Sequence, residues 1–105
     1  MKKINFTKGN GLVPAIIQDK KSGDILMLGY MNNKAFEKTL ESGYVYFWSR
    51  SRNTLWKKGE KSGNVMLVNK IFLDCDNDSL LFQIDLLGNI ACHSGKKSCF
   101  EIYEY

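Results

Sequence analysis

Short apolar runs alternate with polar turns along most of the chain, and only one stretch switches to helical spacing. Ala15 to Gln18 and Ile25 to Tyr30 are separated by Lys21-Ser22-Gly23-Asp24, which predicts a hairpin closed by a glycine turn. Asn32 then stands as an N-cap, with Met31 and Phe36 placed to staple the first turn, while Ala35 at N3 rules out a capping box. Ala35, Phe36, Thr39 and Leu40 recur at helical spacing and Gly43 supplies the stop, so one helix of about three turns is expected. Strand character returns at Tyr44 to Ser49, Leu55 to Lys57, Val65 to Leu73, Leu80 to Leu87 and Phe100 to Tyr105. A single helix leaves little scope for crossovers. The expected fold is mainly β with one short helix, its sheet of about five strands folded, mostly antiparallel and approaching a barrel.

No repeat, low-complexity tract or linker divides the 105 residues, so residues 1–105 are read as one domain. An apolar content of 44% with 12% aromatics excludes a disordered chain. Folding at this size hides only about two thirds of the accessible surface, so a dimer contact or a bound metal would add stability. The net charge of +4 suits a phosphorylated small molecule as well as a polynucleotide and selects neither. Lys2 and Lys3 are followed by no apolar stretch of signal-peptide length, and nothing approaches a membrane span. Three cysteines cannot all pair within one chain. Beside acidic residues and the single histidine, they predict a reduced, cytoplasmic metal site, the competing possibility being a Cys92–Cys99 disulfide.

Soft thiolates favour zinc and carboxylates favour magnesium, and this chain holds both donor sets. Asp74, Asp76 and Asp78 are spaced two apart. On a strand they would share one face and turn Cys75 to the other. Three carboxylates so placed repel one another and call for a cation or basic partners, magnesium being the natural occupant. An EF-hand begins with the same spacing, but Ser79 replaces its glycine and Asp85 its closing glutamate. A solvated acidic turn that binds nothing is the other alternative. Facing away from the carboxylates, Cys75 could join Cys92 and Cys99 on zinc, within its own subunit or across a dimer. Three thiolates and a water make a catalytic site, whereas a fourth protein ligand makes a structural one. His93 is suited to proton exchange near neutrality, and equally to being that fourth ligand or a plain surface histidine.

The segment Ser49-Arg50-Ser51-Arg52 sets hydroxyls beside guanidinium forks, a combination suited to phosphate, and Trp48 and Trp56 can stack on a base. A solvated loop and a nucleic-acid surface have the same composition. A zinc-stabilised nucleic-acid module is therefore the competing functional reading. The acidic run argues against it, since it would repel a phosphate backbone.

Four stretches, Tyr30-Met31-Asn32, SRSRNTLWKKGEKSGN at 49–64, DCDNDSLL at 74–81 and ACHSGKKSCF at 91–100, together resemble the phosphoribosyl-AMP cyclohydrolase family of histidine biosynthesis. The resemblance runs from about Leu12 to Phe100. It implies a monofunctional, metal-dependent hydrolase that opens the adenine ring of 1-(5-phosphoribosyl)-AMP at the N1–C6 bond to give ProFAR. It further implies a cytoplasmic homodimer, with no membrane or nucleic-acid partner. By the family pattern Asp74, Asp76 and Asp78 hold magnesium. Cys75 of one subunit joins Cys92 and Cys99 of the other on zinc, and His93 is the catalytic histidine. Arg50, Arg52, Trp56, Lys58, Glu60 and Ser62 match the motif expected to line the nucleotide pocket. Two departures stand out. The family's Gly-Pro before Ala/Thr-Cys-His is replaced by the longer Gly88-Asn89-Ile90, and its glutamine after Ser-Gly-Asn is Met66, which would remove one polar pocket contact.

Overall fold

A computed structural model describes residues 3–105. Its strands are β1 (Val13–Asp19), β2 (Ile25–Met31), β3 (Tyr46–Ser49), β4 (Thr54–Lys57), β5 (Met66–Leu73) and β6 (Leu80–Leu86). The helix α1 (Asn33–Ser42) joins β2 to β3, and a single 3-10 turn covers Thr7–Gly9.

The interior follows from the alternation along β1 and β6. Val13, Ala15, Ile17 and Asp19 point inward from β1, as do Leu80, Phe82 and Ile84 from β6. In β2 the pattern slips, because Ile17 faces Met27 while Gln18 faces Ile25, leaving Leu26 as an extra residue. That bulge lets two consecutive residues, Leu26 and Met27, both enter the core. Phe47, Val45 and Met31 complete the core from the helical side.

The four-stranded sheet has the order β2-β1-β6-β5, and β3 and β4 form a separate hairpin. The mainly β architecture with one α-helix is as expected. Two details differ. Three of the four strand pairings are antiparallel, as expected, but β1 and β6 run parallel, with Ala15 beside Leu80 and Ile17 beside Phe82, so the four-stranded sheet is mixed. Nor does it close into a barrel. Residues 43–45 make only a short contact with the start of β5, through Val45 N–H to the Met66 carbonyl (3.0 Å) and Val68 N–H to Gly43 (2.8 Å), while the Val45 carbonyl accepts the Lys58 N–H (3.0 Å).

The helix boundaries match the sequence. The Asn32 side chain accepts the Ala35 N–H at 2.9 Å, and Gly43 ends the helix with φ +82°. The inward face differs in one position. Ala35 and Thr39 are buried while Leu40 is exposed. Thr39 makes up for that by coupling helix to sheet: its hydroxyl donates to the Ala35 carbonyl (2.8 Å) and accepts the Tyr46 N–H (3.0 Å).

Two further expectations are corrected. The Asp74-to-Asp78 run lies in the β5–β6 turn, not on a strand. The Asp74 Oδ1 accepts the N–H groups of Asp78 (3.0 Å) and Ser79 (3.2 Å), and Asn77 adopts φ +62°. Aspartate side chains compete with strand pairing for backbone N–H groups, and here they win. The terminal Phe100-to-Tyr105 segment forms no strand. Its side chains are exposed and no strand edge receives it.

The β1–β2 turn is locked by Asp19. Burial raises this carboxyl, but donation from the Ser22 hydroxyl (2.8 Å), the Lys97 ammonium and the Lys21 N–H outweighs burial and leaves it below its ordinary value of 3.8. A lowered folded-state value contributes stability above the unfolded value and loses it as pH falls. Asp19→Asn should therefore be less stable than wild type at neutral pH. The gap should close in acid unfolding series as pH falls below 3.8 through the lowered folded-state value. In denaturant titrations Thr39→Val, which keeps the shape but leaves the Tyr46 N–H without its acceptor, should cost about 1–3 kcal/mol.

Candidate active site

A cavity of about 460 Å³ opens where the β3–β4 turn, the β4–β5 loop and the loop after β6 converge. Arg52 enters from the first, Trp56 from β4, and Lys58, Glu60 and Ser62 from the second. Cys92 and His93 enter from the third. Five of the six expected pocket residues, the expected catalytic histidine and one expected zinc ligand thus share one cavity. The sixth pocket residue, Arg50, lies outside it. Arg50 lines a neighbouring cavity of about 580 Å³ with Tyr30, Trp48, Ser49 and Ser51, and its guanidinium stacks 3.9 Å over the Tyr30 ring. Arg52 and Trp56 belong to both cavities and form the wall between them.

The walls are fixed from behind. Trp56 packs against buried Phe47, with ring centroids 5.3 Å apart. Lys58 is placed by its N–H to the Val45 carbonyl (3.0 Å). The two long loops meet at Asn64. A Cβ on Gly59 would lie 2.3 Å from the Asn64 carbonyl oxygen, and one on Gly88 would lie 2.0 Å from its Oδ1. Both glycines also have positive φ, at +81° and +104°, so neither position tolerates a side chain.

After the longer segment, Cys92 and His93 still line the cavity. Ala91 is buried, its N–H reaches the Lys97 carbonyl (3.1 Å), and the Cys92 N–H reaches Lys96 (3.1 Å). Met66 is wholly buried in the core and lines neither cavity, so the glutamine it replaces does not cost this pocket a polar contact. Asn64, Lys57 and Lys61 also line the cavity and were not singled out as site residues. All three fall within the quoted 49–64 stretch, but nothing in their spacing marks them.

All three cysteines are free, so the Cys92–Cys99 disulfide does not form. Cys92 and Cys99 lie near enough for each thiol to shift the other. Donation from Ser94, first its hydroxyl (3.1 Å) and then its N–H, holds the Cys92 thiol below its ordinary value. Desolvation, and then the Cys92 sulfur, push Cys99 up. Such a pair suits a soft metal, but two thiols are one short of the expected set. Cys75 is exposed in the β5–β6 turn. That turn leads into Leu80, beside Ala15 near the start of β1, whereas the Cys99 N–H bonds Leu26 (2.7 Å), beyond the Ile17 level. At the rise of a strand, the two levels are separated by roughly 8 Å.

The carboxylates of Asp74, Asp76 and Asp78 do gather, with one oxygen from each within 4.8 Å of the others. The turn brings them together, not strand alternation. The donor set fits a hard cation. Lys8 serves the cluster as a counter-charge, donating to the Asp78 Oδ2 at 2.9 Å. That hydrogen bond lowers the Asp78 carboxyl and raises the Lys8 ammonium. The triad lines neither cavity.

A family model described as phosphoribosyl-AMP cyclohydrolase matches residues 27–101. A protein named phosphoribosyl-AMP cyclohydrolase from Listeria innocua is 56% identical over 100 residues, covering 95% of this chain and 92% of the relative. Its namesake from Clostridium botulinum is 53% identical over 100 residues, covering 95% and 90%. A third, from Desulfotalea psychrophila, is 52% identical over 101 residues, covering 95% and 80%. Similarity of this extent, over a cavity that unites the motif residues, means that the chain belongs to the phosphoribosyl-AMP cyclohydrolase family, hydrolases of histidine biosynthesis.

Proposed function

We propose that this chain hydrolyses the N1–C6 bond of 1-(5-phosphoribosyl)-AMP, opening the adenine ring to give ProFAR. The observation that carries the reading is the single cavity shared by His93, Cys92, Arg52, Trp56, Lys58, Glu60 and Ser62. Water must add at C6, N1 must leave, and a proton must move between them.

The residues divide this work by chemistry. Trp56 offers a face on which the purine can stack. Arg52 and Lys58 attract the phosphates, with Arg52 able to grip one through two parallel hydrogen bonds. Glu60 and Ser62 supply an acceptor and a hydroxyl for the ribose or the base edge. Arg50 serves the same substrate from the adjoining cavity. His93 carries the proton to the departing N1, a role suited to imidazole near neutral pH. When bound, zinc makes the attacking water more acidic and magnesium offsets phosphate charge.

Asp74, Asp76 and Asp78 would hold the magnesium, and Cys92 and Cys99 two of the zinc bonds. The third zinc ligand is Cys75 of the other subunit of a homodimer. The separation of Cys75 from the thiol pair along β1 supports this arrangement. In it residues 1–105 act as one catalytic domain. Free cysteines suit a reducing compartment, and the cytoplasm is the expected one. No helix among the described residues is long and apolar enough to cross a membrane. A nucleic-acid partner is not part of this reading.

Adding synthetic phosphoribosyl-AMP to metal-replete protein should change the ultraviolet spectrum as the ring opens, and chelation should abolish the change. No spectral change with zinc verified as bound would refute the proposed activity. His93→Ala should keep zinc content and fold but lower kcat by about 10²–10⁴-fold. Undiminished turnover in that variant would remove the proton-transfer role.

A further inference from the structure

The loop carrying Cys92, His93 and Cys99 has no regular secondary structure, yet its far side is tied down by charges outside both cavities. Asp19, at the end of β1, is the only buried charged side chain among the described residues. Its Oδ2 accepts the Lys97 ammonium at 3.1 Å. The same ammonium reaches the Asp24 Oδ2 at 3.2 Å and the Ser22 hydroxyl at 3.0 Å. Two hydrogen bonds and an ion pair with a second carboxylate thus hold the ammonium.

What Lys97 holds is the path between the two thiols. Its carbonyl accepts the Ala91 N–H, immediately before Cys92. Next along the chain, the Ser98 hydroxyl donates to the Ile25 carbonyl (2.7 Å), and the Cys99 N–H donates to Leu26 (2.7 Å). Lys97, Ser98 and Cys99 are thus each fastened to the β1–β2 hairpin, one by charge and two by hydrogen bonds. Without the charge, the closure on Ala91 would rest on backbone contacts of an exposed loop.

We propose that Lys97, gripped by Asp19 and Asp24, is a positioning residue that sets the Cys92 and Cys99 sulfurs facing each other before zinc arrives. This rests on the reading of those cysteines as zinc ligands. Ordering the loop in advance removes an entropy cost that binding would otherwise carry. Supporting residues behind metal ligands act in this way. A purely electrostatic role, in which Lys97 simply favours thiolates, is a different mechanism with a different signature.

The test uses the full chain with cobalt as probe, reading affinity by chelator competition and geometry from the thiolate-to-cobalt absorption. Lys97→Met and Asp19→Asn should each weaken cobalt binding by about 10-fold or more, the scale of other outer-shell losses. Lys97→Arg, which retains the charge opposite Asp19 and Asp24, should restore most of the affinity. Asp24→Asn should show a smaller loss in the same direction, and it keeps the test open if Asp19→Asn does not fold. Wild-type affinity and absorption in Lys97→Met would overturn the proposal. So would a loss in Lys97→Met with unchanged or tighter binding in the folded aspartate variants, since that pattern belongs to charge alone. Cys99→Ser separates the two levels. If it leaves the cobalt absorption and affinity intact, the zinc reading itself fails, whatever Lys97 does.

Discussion

Strand β1 is the constraint on which the rest of the molecule depends. It is paired on both sides, antiparallel to β2 and parallel to β6, and its alternate residues fill the centre of the core. Those two pairings also place both proposed metal-ligand sets. Through β6 the strand fixes the acidic turn beyond its start, since Leu80 lies beside Ala15. Through β2 and Asp19 it fixes the thiol loop at its far end. Cys75 in the acidic turn and the pair Cys92 and Cys99 therefore sit at different levels along β1. That separation is in keeping with the proposed sharing of the three thiols between two chains, a contact that the small size of the domain would make useful for stability as well.

The parallel pairing of β1 with β6 was the least legible part of the fold. Each strand was visible in the alternation of its residues, and the helix ends were visible in Asn32 and Gly43 because caps depend on local chemistry. Which strands become neighbours depends on contacts some sixty residues apart, and no local signal carries that. The terminal Phe100-to-Tyr105 segment errs in the opposite direction. Its residues favour extended structure, but β-propensity is realised only where a strand edge and a packing surface exist.

The acidic run shows a correct grouping reached for the wrong reason. Spacing two apart on a strand and wrapping of a turn both gather Asp74, Asp76 and Asp78, so the cluster survives the change of local structure. What spacing could not reveal was Lys8, whose charge meets Asp78 from a separate segment near the start of the described residues. Nor did it reveal Asp19 and Lys97, since an ion pair between a strand end and a distant loop has no periodicity. The cavity residues were more legible because Arg52, Trp56, Lys58, Glu60 and Ser62 follow one another within a short stretch. Arg50 departs from them by facing the other side of the wall, over Tyr30.

The contrast between walls and loop bears on how the site can vary. The cavity walls rest on packed groups, Phe47 behind Trp56 and Asn64 wedged against two glycines, where an added methyl has no space. The thiol loop rests on one buried residue, Ala91, and on polar anchors to the β1–β2 hairpin. Anchors of that kind hold the ends of a segment and leave its intervening length free. A longer Gly88-Asn89-Ile90 approach can therefore be absorbed ahead of Ala91, with Gly88 turning against Asn64, while Cys92 and His93 stay at the cavity. Substitutions are tolerated least where the walls pack, and changes in loop length most where a terminal anchor decides the geometry.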